Sequence, residues 1–117
     1  GNYYNFEFNI LGTCKLNFGS QRNDRKLISE KAISEIQFST FIRNLHPGII
    51  LWEITLAIPI SAFEEHNIDT FKGKHCKGNF YKCGDELPQP HYLSWNMVIS
   101  PTPDFHLPQS FGEMHFQ

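Results

Sequence analysis

Apolar and polar residues alternate with a period of two along much of this chain, and that alternation constrains the fold more than any other feature. Over residues 3–10, Tyr4, Phe6, Phe8 and Ile10 alternate with Tyr3, Asn5, Glu7 and Asn9. A pleated strand sends successive side chains to opposite faces, so this run predicts one apolar and one polar face. Cys14, Leu16 and Phe18 repeat the pattern beyond Gly12, and the two runs predict a hairpin. Residues 49–58 are the clearest strand. Ile50, Trp52, Ile54, Leu56 and Ile58 share one face, which predicts a core position for Trp52, and Pro59 ends the run because it lacks an amide donor.

Further strands are predicted from residue 34 to 43, over 79–83, over 92–98 and over 112–116. Residues 31–43 are ambiguous: Ile33 and Ile36 fit a helical turn, while Ile36, Phe38 and Thr40 fit a strand, the reading favoured from Ser34 onward. Residues 19–25 and 73–78 read as polar and basic loops, Pro47-Gly48 as a turn, residues 61–63 as one helical turn, and 100–108 as a proline-punctuated loop. About seven short strands separated by turn signals predict an all-β antiparallel β-sandwich forming one domain over residues 1–117. The first strand begins at once, with nothing before it to cover its edge. The sandwich is therefore expected to be incomplete, or completed by a second copy. Area scaling at 117 residues predicts about 6,500 Å² of surface when folded.

Several function classes are set aside. The net charge is -2, and the densest basic run, residues 22–31, is interrupted by Asp24 and Glu30. A nucleic-acid partner is not expected, because counterion release requires clustered Lys and Arg. No apolar run approaches the ~20 residues of a membrane span, and no leader peptide is read at the N-terminus. Cys14, Cys76 and Cys83 allow three different single bridges or none. His75, Cys76, Cys83 and His91 invite a zinc reading, but the six-residue gap between the last two cysteines does not fit ligands supplied by one tight turn. No metal and no cofactor are expected. Glu7, Glu53, Asp85 and Asp104 are the conspicuous acids, and the pairs Glu64-Glu65 and Asp85-Glu86 are neighbours that a strand would send to opposite faces. A glycosidase needs two carboxyls flanking one bond. Without a recognisable nucleophile, phosphate or metalloprotease motif, catalysis is not expected.

Residues 79–112 carry the chemistry. Aromatic rings recur between Pro and Gly turn markers, and polar residues sit beside most of them. Such a surface stacks flat apolar faces and hydrogen-bonds hydroxyls at the rim, which is the combination a saccharide presents. Trp95, between Ser94 and Asn96, reads either as a stacking platform or as a core tryptophan. Phe105, in the proline-rich loop, reads as a ligand contact or a loop anchor. His91 and His106 flank the same rim as possible donors, and Glu7 on the polar face of the first strand meets either a ligand or water.

The segments Tyr3-Tyr4-Asn5-Phe6-Glu7-Phe8-Asn9 with Gly12, Trp52-Glu53-Ile54 running into Ala57-Ile58-Pro59, Asn79-Phe80-Tyr81-Lys82-Cys83-Gly84-Asp85, Ser94-Trp95, Pro103-Asp104-Phe105-His106 and Phe111-Gly112 follow one another in this order. Together they resemble the family 9 carbohydrate-binding modules, and in particular the family 9-like proteins of gut Bacteroidetes. The resemblance spans nearly the whole chain but only the second half of a complete module. It implies a β-sandwich that binds plant-type glycans, xylan or cellulose oligosaccharides, without cleaving them. It also implies an extracellular or periplasmic location and association with xylanases or other glycoside hydrolases. In the xylanase modules two tryptophans sandwich a terminal sugar. The place of the second is matched here by Phe105, and the place of a sugar-binding arginine by Glu7. Calcium is known in that family, although no dense Asp run of a calcium loop is visible here. The resemblance therefore implies Phe105 and Trp95 as stacking residues and Glu7, His91 and His106 as hydrogen-bonding ones. The alternative is an interaction module that has lost sugar binding and self-associates, as a homodimer, through an uncovered strand edge.

Overall fold

The structure, a computed structural model, describes all residues from 1 to 117. It contains nine strands, every pair antiparallel, with one short α-helix and two 3-10 turns. This is the all-β architecture the alternation predicts, in keeping with a β-sandwich. The two strands beyond the expected seven are short and fall where loops were predicted. The chain divides into two compact units, residues 2–70 and residues 71–117 with Gly1.

In the N-terminal unit, β1 (Tyr3–Phe8), β2 (Cys14–Gln21) and β3 (Asp24–Leu27) form a sheet in that order. The predicted hairpin is present, with Glu7 opposite Lys15 and Phe6 opposite Leu16. Gly12 supplies its turn at φ 83°, and the Phe38 ring occupies the space a β-carbon there would need. β3 replaces part of the predicted polar loop. Gly19 lets the Asp24 carbonyl come so close that any β-carbon would meet it at 1.8 Å, and the register shifts between Gly19 and Gln21.

Helix α1 (Glu30–Ser34) follows, covering the part of residues 31–43 that fitted a helical turn, and the strand favoured from Ser34 begins at Gln37. The helix forms because Ser29 caps it, accepting from the Ala32 amide, while Ala32 and Ile36 turn into the core. That core is Leu16, Ile28, Ala32, Ile36 and Ala62, the last from the 3-10 turn Ile60–Phe63. Tyr4, Phe6, Phe18 and Phe63 pack around it, with the Tyr4 and Phe18 rings 4.7 Å apart.

The hairpin of β4 (Gln37–His46) and β5 (Ile49–Ala57) departs most from expectation. Its register sets Ile42 opposite Trp52 and Phe38 opposite Leu56, so the predicted apolar face exists. It is not a core, however. Every residue of β4 is exposed, Ile50 is 62% exposed, and Trp52 is only half-buried. Alternation fixes which residues share a face, but not whether anything covers that face.

In the C-terminal unit, β6 (His75–Gly78) pairs with β9 (Gly112–His115), and β7 (Tyr81–Gly84) pairs with β8 (His91–Ser94). β6 lies in the predicted basic loop. Its partner is distant in sequence, so no local signal announces it. Gly73, at φ 71°, turns the chain into it, and its amide donates to the Phe116 carbonyl.

Candidate functional site

The β7–β8 ribbon is the frame. Its register sets Tyr81 opposite Ser94 and Cys83 opposite Tyr92 on one face, and Lys82 opposite Leu93 and Gly84 opposite His91 on the other. The loop after β8 returns Phe105 to the first face. The Phe105 ring stacks on Tyr81 at 4.3 Å and 18°, and meets Tyr92 edge-on at 6.1 Å. Such offset and edge contacts hold a ring in place as well as burying it. Beside it opens a shallow cleft of about 250 Å³, lined by Tyr92, Ser94, Val98, Thr102, Asp104 and Phe105 among others. Asp104 accepts the His106 amide at 2.8 Å, a local turn that fixes the loop while leaving its second carboxylate oxygen as an acceptor. The cleft thus combines an aromatic wall with hydroxyl and carboxylate groups.

Trp95 lies elsewhere. Its amide donates to the Phe80 carbonyl at 2.9 Å, extending the ladder one residue past β8. By alternation, Phe80 and Trp95 continue the face of Lys82 and Leu93, opposite the Phe105 face. The Trp95 ring is 57% exposed and meets Phe80 edge-on at 5.8 Å. It is a surface ring, not a core one. It leans over Gly112, where a β-carbon would meet Trp95 Cζ3 at 2.9 Å.

Its backbone is clamped by side chains that the sequence did not single out. Asn79 Oδ1 accepts from the Phe80 and Asn96 amides, and Asn79 Nδ2 donates to the Asn96 and Ser110 carbonyls. Asn96 Nδ2 donates to Ser110 as well. No local pattern marks these asparagines, because their partners lie up to 31 residues away. Tyr81 and Tyr92 were likewise missed as Phe105's supports. The alternation of β7 and β8 assigns them a face, but not a partner.

The polar candidates are scattered. His91 packs against Gly84, with Nδ1 3.1 Å from the Gln89 carbonyl and Nε2 against Lys82 Nζ. Lysine can only donate, so Nε2 accepts, and Nδ1 carries the proton that goes to Gln89. Both ring nitrogens are therefore engaged on the face opposite Phe105. His106 is half-buried beside Asp104. Glu7 belongs to the N-terminal unit, where it accepts from Asn5 Nδ2 and lies 3.5 Å from Arg25 Nη1. It borders a shallow hollow of about 290 Å³ with Asn9, Thr13 and Lys15.

The four candidate zinc ligands do not assemble. His75 lies against His115, Cys76 pairs across the sheet with Met114, Cys83 is exposed on β7, and His91 is held by Lys82. No three His, Cys, Asp or Glu side chains converge as metal ligands, so the donor set does not fit a calcium cage of six to eight oxygens. All three cysteines are free thiols. Burial pushes the Cys14 thiol above its usual range. Burial and then Glu113 do the same for Cys76.

The antiparallel β architecture, with a half-buried, braced Phe105 beside a cleft that carries hydroxyl and carboxylate groups, is compatible with the class of carbohydrate-binding modules. The chain matches carbohydrate-binding family 9 over residues 1–116, and it belongs to that family. A solved structure from Bacteroides uniformis ATCC 8492, of a protein provisionally assigned to carbohydrate binding, superposes with a TM-score of 0.86 at 36% identity. The superposition covers 99% of this chain and 55% of that one, so this chain spans little more than half the length of its relative. No curated protein matches it in sequence. No helix is long and apolar enough to cross a membrane.

Proposed function

We propose that the C-terminal unit binds an oligosaccharide of plant-type glycan, xylan or cellulose, in the cleft beside Phe105, without cleaving it. The observation that carries this reading is the pairing, in one cleft, of a ring braced on Tyr81 with the side chains of Ser94, Thr102 and Asp104. The CH face of a pyranose packs on the Phe105 ring, and the carboxylate and hydroxyl groups accept and donate at the sugar's edge. Trp95 offers a second exposed ring on the other face of the ribbon, suited to a longer chain or a separate contact. Glu7 and His106 are secondary candidates, and His91 contributes through its hold on Lys82. Membership of a binding family supports a non-catalytic role, and a setting outside the cytoplasm among glycoside hydrolases follows from the same family likeness.

Isothermal titration with xylo- and cello-oligosaccharides tests this reading. Binding with Kd on the order of 1 mM is expected, and no heat at ~10 mM sugar from a folded sample removes it. Phe105→Ala should weaken binding at least tenfold, about 1.4 kcal/mol. Because Phe105 also packs on Tyr81, Asp104→Asn provides a second variant with little effect on packing. Turnover that vanished in Glu7→Gln or Asp104→Asn would instead make the protein a glycosidase.

A second property is supported by a separate observation. Phe38, Ile42 and Ile50, which share one face of the β4–β5 ribbon, are each at least half exposed. A two-stranded ribbon is marginal alone, and contiguous apolar area beyond a few hundred Å² marks an interaction surface. We propose that a second copy covers this face of the ribbon; β1, the strand whose edge the sequence leaves uncovered, is likewise an edge strand of its sheet.

A further inference from the structure

The imidazoles of His75 and His115 are directly opposite each other in the β6–β9 register, with ring centroids 4.1 Å apart and planes 11° apart. One comes from a segment that reads as a basic loop, the other from the end of the chain, and the antiparallel ladder brings them face to face. The backbone around them is tied on the outer side as well. The Gly73 amide donates to the Phe116 carbonyl at 2.8 Å, and the Phe116 amide donates to the Lys74 carbonyl at 3.0 Å. Both side chains are exposed, so an ion reaches them from solvent. We propose that His75 and His115 form a two-histidine site for a divalent first-row transition ion, with water completing the coordination shell.

The register supplies the pairing, and rotation of the side chains must supply the coordination geometry. A tetrahedral ion with Zn–N bonds of 2.0–2.1 Å holds its two nitrogens about 3.3 Å apart. The lone pairs lie in the ring planes and those planes are nearly parallel, so each imidazole must turn about its side-chain bonds to aim a nitrogen at the ion, starting from a register that already sets both side chains on one face of the ladder. Imidazole suits zinc, copper and nickel, whereas calcium and magnesium prefer oxygen, and this fixes the class of ion. With only two protein ligands the ion stays exchangeable rather than buried. On the same face, Glu113 pairs with Lys77 at 3.1 Å, two residues along β9 from His115. The two charges offset each other, so this pair leaves the affinity of the site to the imidazoles. Cys76 and Met114 point to the opposite face of the ribbon, so the site does not draw on sulfur. Binding bridges β6 to β9 and staples the last strand of the chain. It breaks no covalent bond, and the ion exchanges bound water for two imidazole nitrogens.

The test titrates the full chain, in a Cys83→Ser background to remove the exposed thiol, with CuCl2 and separately with ZnCl2. One ion per chain is expected, copper binding more tightly than zinc as the Irving–Williams order requires. The copper(II) electron paramagnetic spectrum should show nitrogen ligands. His75→Ala and His115→Ala should each weaken binding at least about tenfold, since losing even an outer-shell partner costs that much. His46→Ala, on the β4–β5 hairpin, should leave it unchanged. Because the bound ion ties two strands, the melting temperature should rise with zinc in the parent and not in His115→Gln. An absence of saturable binding below ~1 mM ion, or affinity that survives both histidine substitutions, overturns the proposal.

Discussion

At Gly112 a single missing atom sets the position of a candidate binding ring. Its bare α-carbon lets Trp95 lie against the start of β9, and an added methyl would come within 2.9 Å of Cζ3 and 3.1 Å of Cη2. Gly112→Ala should displace the indole, change the near-ultraviolet circular dichroism, and cost about 1–3 kcal/mol through overpacking. An unchanged spectrum would show that the ring does not rest there. Glu64 shows the same dependence on one partner. It accepts the Ser29 amide at 3.0 Å and the Ser29 hydroxyl at 2.8 Å, and these bonds hold its carboxyl below the ordinary Glu range. A lowered folded pKa contributes stability above the unfolded value and loses it as pH falls through the folded one. The advantage of the native protein over Glu64→Gln should therefore be full at neutral pH and shrink below about pH 4.3, as followed by thermal melting across an acid series.

Elements show where local reading holds and where it does not. The Pro47-Gly48 turn was legible because its chemistry is local: proline presets one dihedral, and glycine takes φ 83° at no steric cost. Gly48→Ala should destabilise the β4–β5 hairpin by about 1–2 kcal/mol, read as a lowered denaturation midpoint. Nothing lies within 4 Å of an added β-carbon there, so the effect would be backbone strain alone. β3 and β6 were not legible. β3 needs the close approach at Gly19, and β6 needs β9, whose partner residues lie 34 to 40 positions away. The same non-locality hid the asparagine clamp around Trp95. Residues 31–43 read both ways because Ile36 fits a helical turn with Ile33 and a strand with Phe38 and Thr40; the chain uses both, a helix capped by Ser29 and then the strand, which starts three residues later than Ser34.

For the molecule as a whole, the exposed apolar face of the β4–β5 ribbon is the feature to explain. Sedimentation equilibrium should show a concentration-dependent dimer that Ile50→Glu abolishes while the monomer stays folded. A parent that stays monomeric at ~100 µM would rule out a second copy as the ribbon's cover, as a Kd tighter than that would be populated. The same measurement with oligosaccharide present separates the two functions, because the Phe105 cleft shares no residue with the ribbon.

Sequence alone determined the class of structure. Period-two alternation, glycine and proline punctuation and the order of the family segments are properties of neighbours along the chain, and they established the antiparallel β architecture and the family. Only the tertiary structure decided what those residues face. It sent Phe105 and Trp95 to opposite sides of one ribbon, engaged both nitrogens of His91, and left the hairpin that reads most like a core open to solvent. The reason is physical: a strand's pattern says which side chains share a face, whereas burial and contact depend on segments far away in sequence that come to lie against it.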